Sequence, residues 1–440
     1  MSALARYFHL KKMNVAGYDK TSTDLTVNLE GIGIAVHYED SVEQIPSEYK
    51  NIDNTLVIIT PAVPKNHTEL QYFIKNDFKV FKRAQILGEL FNQGTGLAIA
   101  GTHGKTTIST MVAWLLQESG LDNSAFLGGI SKNFGSNLIL GNGEHVVAEA
   151  DEFDRSFLQL FPHIALISST DADHLDIYGN KDSVIDSFND FISQIDEDGT
   201  LVYKYGLDLK KKDSLKAYTY HLDSPKADFY ANNIRLVNGK YYFDLHSPFD
   251  IIEGLSLQHP GLVNVENSVG ALAVALLAGA QQMYLRDALS GFKGIKRRFD
   301  VQFNNGKQIY ADDYAHHPEE LRATIGSARK MYEGKKLTGV FQPHLFTRTR
   351  DFADEFAQSL SELDEVILLD IYPAREEPIA GVDSKMILDK ISISDKQICS
   401  KENLLGMLKE RYFEVLLTMG AGDIDKLVEP IKNMLEAADE

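Results

Sequence analysis

The feature that most constrains this chain is the heptapeptide Gly-Thr-His-Gly-Lys-Thr-Thr at positions 101–107. A short apolar run, Leu97, Ala98, Ile99 and Ala100, leads into it. Ile108, Met111, Val112, Leu115 and Leu116 follow on one helical face, and Gly120 supplies a stop. Strand, glycine turn and helix in that order form a unit of a parallel sheet, and Lys-Thr at the turn gives it the chemistry of a phosphate-binding loop. Gly101 and Gly104, with Thr102 between them, let backbone N–H groups close around phosphate oxygens. The helix N-terminus, with Thr107 in its first turn, adds partial positive charge. Lys105 is placed to reach the terminal phosphates and the Thr106 hydroxyl to hold Mg²⁺. The loop is a compact variant, since the commoner spacing would put its first glycine where Ile99 stands. A glycine turn that merely starts a helix is the alternative, and it leaves Lys-Thr-Thr unexplained.

At 440 residues the chain is long enough for two to four domains. Lys and Arg number 44 against 63 Asp and Glu, a formal net charge of −19. That balance argues against nucleic acid or an anionic membrane as the main partner. One cysteine, Cys399, excludes an internal disulfide and fits a reducing, cytoplasmic compartment. No apolar run reaches the roughly 18–20 residues of a membrane span. The first eight residues, MSALARYF, read as helix rather than as a signal peptide, so the chain is expected to open inside a βαβ unit, after its first strand. Nothing in the sequence fixes an oligomeric state.

Strand and helix patterns alternate in three stretches, which predicts an α/β protein of three domains with mainly parallel sheets. Residues 1–92 carry strands near 14–17, 56–60 and 79–81. Residues 93–297 carry the phosphate loop, strands near 146–149 and 164–168, strand-like runs near 201–203 and 241–245 that read as an antiparallel addition, and an apolar helix near 265–278. Residues 298–440 run strand (308–311), helix (318–331), strand (337–341), helix (351–361), strand (366–370) and strand (413–418), then a closing helix.

Ligands of open parallel sheets sit at the carboxyl ends of the strands. Three features fall there in the middle stretch: the loop 101–107, the acidic turn Glu149-Ala-Asp151-Glu152-Phe-Asp154, and Asp171-Ala-Asp173-His174-Leu-Asp176. Solvated acidic surface is the ordinary explanation of such runs. Their position after successive strands instead predicts one Mg-ATP site, with Glu149 and His174 as metal ligands. Asn264 and Asn267 lie three apart on one helix face, so their amides suit an adenine edge, although Asn264 also suits a helix cap. Arg297 and Arg298 suit phosphate contacts at a domain junction. In the last stretch, Asp312-Asp313-Tyr314-Ala-His316-His317-Pro318 and Gln342-Pro343-His344-Leu345-Phe346-Thr347-Arg348 follow strands, where cations and imidazoles would hold a carboxylate substrate. Adjacent histidines cannot easily point the same way, which disfavours a zinc site.

In their order, GTHGKTT, EADEFD, ADHLDIY, PGLVNVEN, KRRFD, DDYAHHP and FQPHLFTRTRD resemble the Mur ligase superfamily over essentially the whole chain. Within it the chain is most similar to the branch that joins L-alanine to the carboxylate of UDP-N-acetylmuramate. The resemblance implies a Rossmann-like UDP-binding domain, a central P-loop ATPase domain and a Rossmann-like C-terminal domain. It implies ATP and Mg²⁺ as cofactors and an acyl-phosphate intermediate that the alanine amine attacks. By it, Lys105 stabilises the transferring phosphoryl group, Thr106 and Glu149 sit at Mg²⁺, and His174 sits at a metal near the acceptor carboxylate. Asn264 and Asn267 hold adenine, Arg298 the phosphates and Asp313 the ribose. Tyr314, His316, His344 and Arg348 surround the amino acid, with His344 the candidate for accepting its proton. Replacing Lys105 is expected to abolish turnover and leave the fold intact. Two departures accompany the match. The family's opening strand and GxGGxGM loop are absent ahead of Met1, which implies a displaced start or truncation and an incomplete UDP cradle. Leu345 stands where many members have Arg. The competing assignments are a sibling ligase that attaches a recycled murein tripeptide, a folate-type polyglutamate ligase, a nucleotide-binding protein without turnover and, weakest, a dinucleotide oxidoreductase.

Overall fold

Strand and helix alternate along the whole computed structural model, which describes all residues except 172–177, 179, 375 and 440. His174, expected at a metal, thus lies outside the described residues. Contacts gather the chain into two compact units: 1–232 with 244–255 and 266–291, and 233–243 with 256–265 and 292–440.

The first unit opens with the helix Ser2–Leu10, whose Leu4 is buried. Two parallel strand pairs follow: β1 (Ala16–Tyr18) with β2 (Ala35–His37), and β3 (Val57–Ile59) with β4 (Val80–Lys82). Next comes the strand that leads into the glycine loop, β5 (Thr95–Ala100), at the heart of a large sheet. The other strands of that sheet are β6 (Asn123–Ser131), β7 (Ser136–Ile139), β8 (His145–Glu149), β9 (Ile164–Ile167), β10 (Thr200–Lys204), β11 (Lys216–His221), β12 (Phe229–Val237), β13 (Lys240–His246) and β14 (Ile251–Leu257). Their order is β14-β13-β12-β11-β10-β9-β5-β8-β6-β7. Leu97, Ala98, Ile99 and Ala100 are fully buried, because a central parallel strand is covered on both faces. The chain crosses to one side of β5 through the helix Lys105–Glu118 and to the other side between β8 and β9. The carboxyl ends of β5, β8 and β9 therefore lie side by side at the point where strand order reverses, where a crevice for ligand opens.

One expectation is corrected here. The run near 201–203 is β10, and it joins β9 in parallel, as β11 joins β10. The helix Lys181–Ser193 and the residues 205–215 give the chain enough length to cross back each time. Reversal comes later, at Asn238 and Gly239, whose φ values of 50° and 76° are those of a tight hairpin turn.

The second unit holds a six-stranded sheet in the order β15-β16-β20-β17-β18-β19. These strands are Asp300–Asn304, Ile309–Asp313, Leu337–Phe341, Glu365–Leu368, Lys396–Ile398 and Val415–Met419 for β15 to β20. All pairs are parallel except the edge hairpin β15–β16. Apolar clusters cover both faces, one around Leu321, Phe341 and Phe356, the other around Tyr310, Leu404 and Ile431. Helix Pro318–Met331 carries proline at its first position, where the missing N–H costs nothing.

Candidate active site

In the first unit the site grows from the end of β5. Gly101 has φ of 124°, and a Cβ there would sit 2.2 Å from Ser168 Oγ. Gly104, with φ of 82°, starts the helix Lys105–Glu118. Both positions need glycine's freedom. The loop is latched from the end of β9. Ser168 Oγ donates to the carbonyls of Ala100, at 3.2 Å, and His103. Ser169 Oγ lies 2.9 Å from Thr102 Oγ1 and accepts the His103 N–H at 2.8 Å. The Asp171 N–H is donated to Thr102 Oγ1 at 3.2 Å. No sequence signal marked these serines, whose role exists only because β9 neighbours β5.

Lys105 Nζ donates to Gly101 O at 2.7 Å and lies 2.8 Å from Glu152 Oε2. The Glu152 side chain is 1% exposed. Burial pulls the Lys105 ammonium down, but Glu152, Asp151 and Glu149 outweigh it and hold the group above its ordinary range, so it stays charged. Glu149, the last residue of β8, has a buried Oε2 with no hydrogen-bond partner among the described residues. Its carboxylate lies against Gly128 on the neighbouring β6, where a Cβ would sit 2.1 Å from Oε2. A buried carboxylate oxygen with unused lone pairs is a donor that a hard divalent cation wants. Thr106 and Thr107 are buried in the first helical turn. Asn264 and Asn267, both buried, share the helix Leu262–Leu277. Asn267 Oδ1 lies against the glycine loop, 2.8 Å from where a Cβ of Gly104 would be. Asn264, the third residue of that helix, donates from Nδ2 back to Pro260 O, a bond to the preceding turn and not an N-cap bond, in which the side-chain oxygen would accept an N–H.

In the second unit Asp313 ends β16 and is sealed in. Its two oxygens accept the N–H groups of Phe299 and Ala315, each at 2.7 Å. Burial pushes its carboxyl up to about 6, against the pull of Arg298 and these N–H donors. The two junction arginines divide. Arg297, at φ of 64°, donates to Asp312 at 2.9 Å and to Gly420 O at 2.6 Å, a structural tie. Both guanidiniums lie over the Tyr314 ring, Arg297 at 5.3 Å and Arg298 at 5.4 Å from its centroid, and Arg298 is 3.6 Å from Glu320.

Tyr314, His316 and His344 come together as a row of rings. The Tyr314–His316 centroids are 5.2 Å apart and His316–His344 5.9 Å. Tyr372, which the sequence did not single out, stacks on His344 at 5.8 Å. Burial pushes the His316 imidazolium down, with Glu320 opposing, so the ring is held towards its neutral form. Its Nδ1 is 3.0 Å from Tyr314 O and 3.3 Å from Glu320 Oε2. Both are acceptors, so Nδ1 carries the hydrogen and Nε2 the lone pair. Arg348 sits on the short helix Phe346–Asp351, entered through Leu345 at φ of 70°. Glu376 accepts the N–H of Thr347 at 3.0 Å in the first turn of that helix. The adjacent His317 turns away to meet Phe352 edge-on at 5.1 Å.

Residues 1–95 match the Mur ligase family, catalytic domain; residues 99–275 match the Mur ligase middle domain; residues 297–422 match the Mur ligase, glutamate ligase domain. The chain is 51% identical over 438 residues to UDP-N-acetylmuramate–L-alanine ligase of Parabacteroides distasonis, covering 99% of this chain and 95% of that protein. It is 49% identical over 439 residues to the enzyme of the same name from Phocaeicola vulgatus, with the same coverage. Among solved structures, UDP-N-acetylmuramate-alanine ligase of Thermotoga maritima superimposes with a TM-score of 0.83 at 26% identity, covering 100% of this chain and 97% of that one.

Proposed function

The chain belongs to the Mur ligase family, and from that premise we propose that it is the ATP-dependent ligase that joins L-alanine to the carboxylate of UDP-N-acetylmuramate in peptidoglycan biosynthesis. The observation that carries the site assignment is the Lys105 loop at the end of β5, with Glu149 Oε2 at the end of the neighbouring β8 lacking a hydrogen-bond partner among the described residues. Bound ATP supplies a phosphoryl group that converts the carboxylate to an acyl phosphate, and Mg²⁺ neutralises the charge that gathers between them.

The residues act in two sets. Gly101, Gly104 and Thr107 present N–H groups to phosphate, Thr102 shapes the loop with its N–H on Ser169 O at 3.2 Å, Lys105 supplies a fixed positive charge, and Thr106 and Glu149 offer oxygens to Mg²⁺. His174 is proposed as a further ligand. Asn264 and Asn267 face adenine, Arg298 the phosphates and Asp313 the ribose. In the second unit Arg348 pairs with the alanine carboxylate. The alanine amine must lose a proton as it attacks the acyl carbon and phosphate leaves with the bonding pair. The His316 Nε2 lone pair and the His344 ring beside it are the acceptors that the ring row offers. Residues 1–92, 93–297 and 298–440 serve as the UDP-substrate, ATP and amino-acid domains.

Among the described residues no helix is long and apolar enough to cross a membrane. We place the reaction in the cytoplasm, where ATP is made, with small-molecule partners only. The test is phosphate release by the full chain with Mg-ATP, L-alanine and UDP-N-acetylmuramate, each omitted in turn. Release that needs all three supports the assignment. Release with a murein tripeptide but not with alanine would reassign the chain to the sibling ligase, and ATP binding without release would make it a nucleotide-binding protein.

A further inference from the structure

The ammonium of Lys105 is already engaged by the protein. Its donors go to Gly101 O at 2.7 Å and to the Glu152 carboxylate at 2.8 Å, with Thr102 O more distant at 3.5 Å. Glu152 is fixed in turn, because the Tyr178 hydroxyl donates to its main-chain carbonyl at 2.5 Å. Asp151 and Glu149 also act on Lys105 through their charges. Lys105 is thus in contact with one buried carboxylate and in the field of two more. The helix N-terminus offers only about half a positive charge. A free nucleoside polyphosphate brings several more negative charges to the same place, and in a buried setting those charges are weakly screened.

Glu149 has a direct use, as an oxygen donor to a cation. Glu152 differs in that its carboxylate is turned onto Lys105, whose Nζ lies 3.0 Å from Oε1 and 2.8 Å from Oε2. Its sequence position gives the reason. Glu149 ends β8 and crosses towards β6, whereas Glu152 lies past the strand end, in the turn that folds back over the loop. We propose that Glu152 is a positioning residue that acts as an electrostatic gate on the phosphate loop: its buried carboxylate, held by Lys105, repels a polyphosphate that arrives without a divalent cation and tolerates one that arrives with it. The proposal rests on the assignment of this loop as the ATP site.

The experiment is calorimetric titration of ATP into the full chain, once with EDTA and once with excess Mg²⁺, with no other substrate present. The wild-type protein should bind about 100-fold more tightly with Mg²⁺. Glu152→Gln keeps the shape and removes the charge. It should raise metal-free affinity about tenfold and change the Mg²⁺ affinity less than about threefold, so the ratio collapses. Glu152→Asp keeps the charge and should keep the ratio, which guards against a loss of folding in the first variant. A purely structural role for Glu152 would move both affinities together. An unchanged ratio in Glu152→Gln overturns the gate and leaves the ATP site standing. Failure of the wild-type protein to bind ATP even with Mg²⁺ overturns the site assignment and the gate with it.

Discussion

Lys105→Ala tests the buried pair as well as the chemistry. On sequence grounds the variant should lose turnover and keep its fold. The structure requires a stability loss too. Lys105 is 2.8 Å from a Glu152 side chain that is 1% exposed, with Asp151 and Glu149 acting on the same spot. Removing one member of a buried pair costs about 3–5 kcal/mol, because it strands the other charge. The strand can be relieved by a proton, which caps the loss. An unfolded Glu ionises near pH 4.3, so holding Glu152 neutral costs about 1.4 kcal/mol for each pH unit above that, or about 4 kcal/mol at pH 7.5. The sign follows from the raised carboxyl of the variant. Its stability relative to wild type is intact below about pH 4 and is lost as pH rises, because the unfolded chain then releases a proton that the folded one keeps. Urea denaturation followed by fluorescence reads the right unit, since Trp114, the chain's sole tryptophan, lies on the helix that begins at Lys105. The expected deficit is at most about 4 kcal/mol at pH 7.5 and about 1 kcal/mol at pH 5, less what burial already costs the wild-type Glu152 carboxyl, which is raised with Lys105 opposing, and adding Glu152→Gln should remove the pH dependence. A Lys105→Ala protein with wild-type stability at pH 7.5, or with a deficit that does not shrink at pH 5, would refute the pairing argument.

Other perturbations separate the remaining parts. Gly128→Ala places a Cβ 2.1 Å from Glu149 Oε2, so the carboxylate must move; the Mg²⁺ concentration for half-maximal turnover should rise about tenfold or more with an unchanged circular dichroism spectrum, and an unchanged midpoint would detach Glu149 from the metal. Asp313, pushed up to about 6 by burial, holds its proton when the unfolded chain has lost it. Stability relative to Asp313→Asn should therefore fall by about 3 kcal/mol between pH 4 and pH 6 and then level off; a flat difference across that range in urea melts would contradict it. Arg348→Lys loses the planar fork for a carboxylate, so the KM for alanine should rise at least tenfold with the KM for ATP within about twofold, and equal changes in both would place Arg348 elsewhere.

What the sequence disclosed, and what it hid, follows from the range of each interaction. The unit β5–loop–helix was legible because apolar spacing, glycines and Lys-Thr all lie within one short window. The helix Pro318–Met331 was legible for the same reason, through its proline and its periodicity. The direction of β10 and β11 was hidden, because periodicity marks a strand and the connection decides whether it runs parallel. The edge strand β15 was overlooked beside the charged junction that precedes it. Ser168 and Ser169 carry no motif, and they matter because sheet order sets β9 beside β5. Gly128 matters for what it lacks, on a strand that only the fold brings to Glu149.

The sharpest limit lies between neighbours in sequence. Arg297 and Arg298 are chemically identical and both lie over the Tyr314 ring, yet Arg297, at a left-handed φ of 64°, donates to Asp312 and the Gly420 carbonyl, while Arg298 lies 3.6 Å from Glu320. Glu149 and Glu152 divide in the same way, one at the last residue of a strand and one past it. In each pair a change of backbone direction, and not of side-chain type, ties one residue to the scaffold or the lysine and leaves the other as the one we propose for the ligand. Residue type therefore marks carboxylates and guanidiniums at the phosphate loop and the junction, and local backbone geometry sets which protein partners each of them meets.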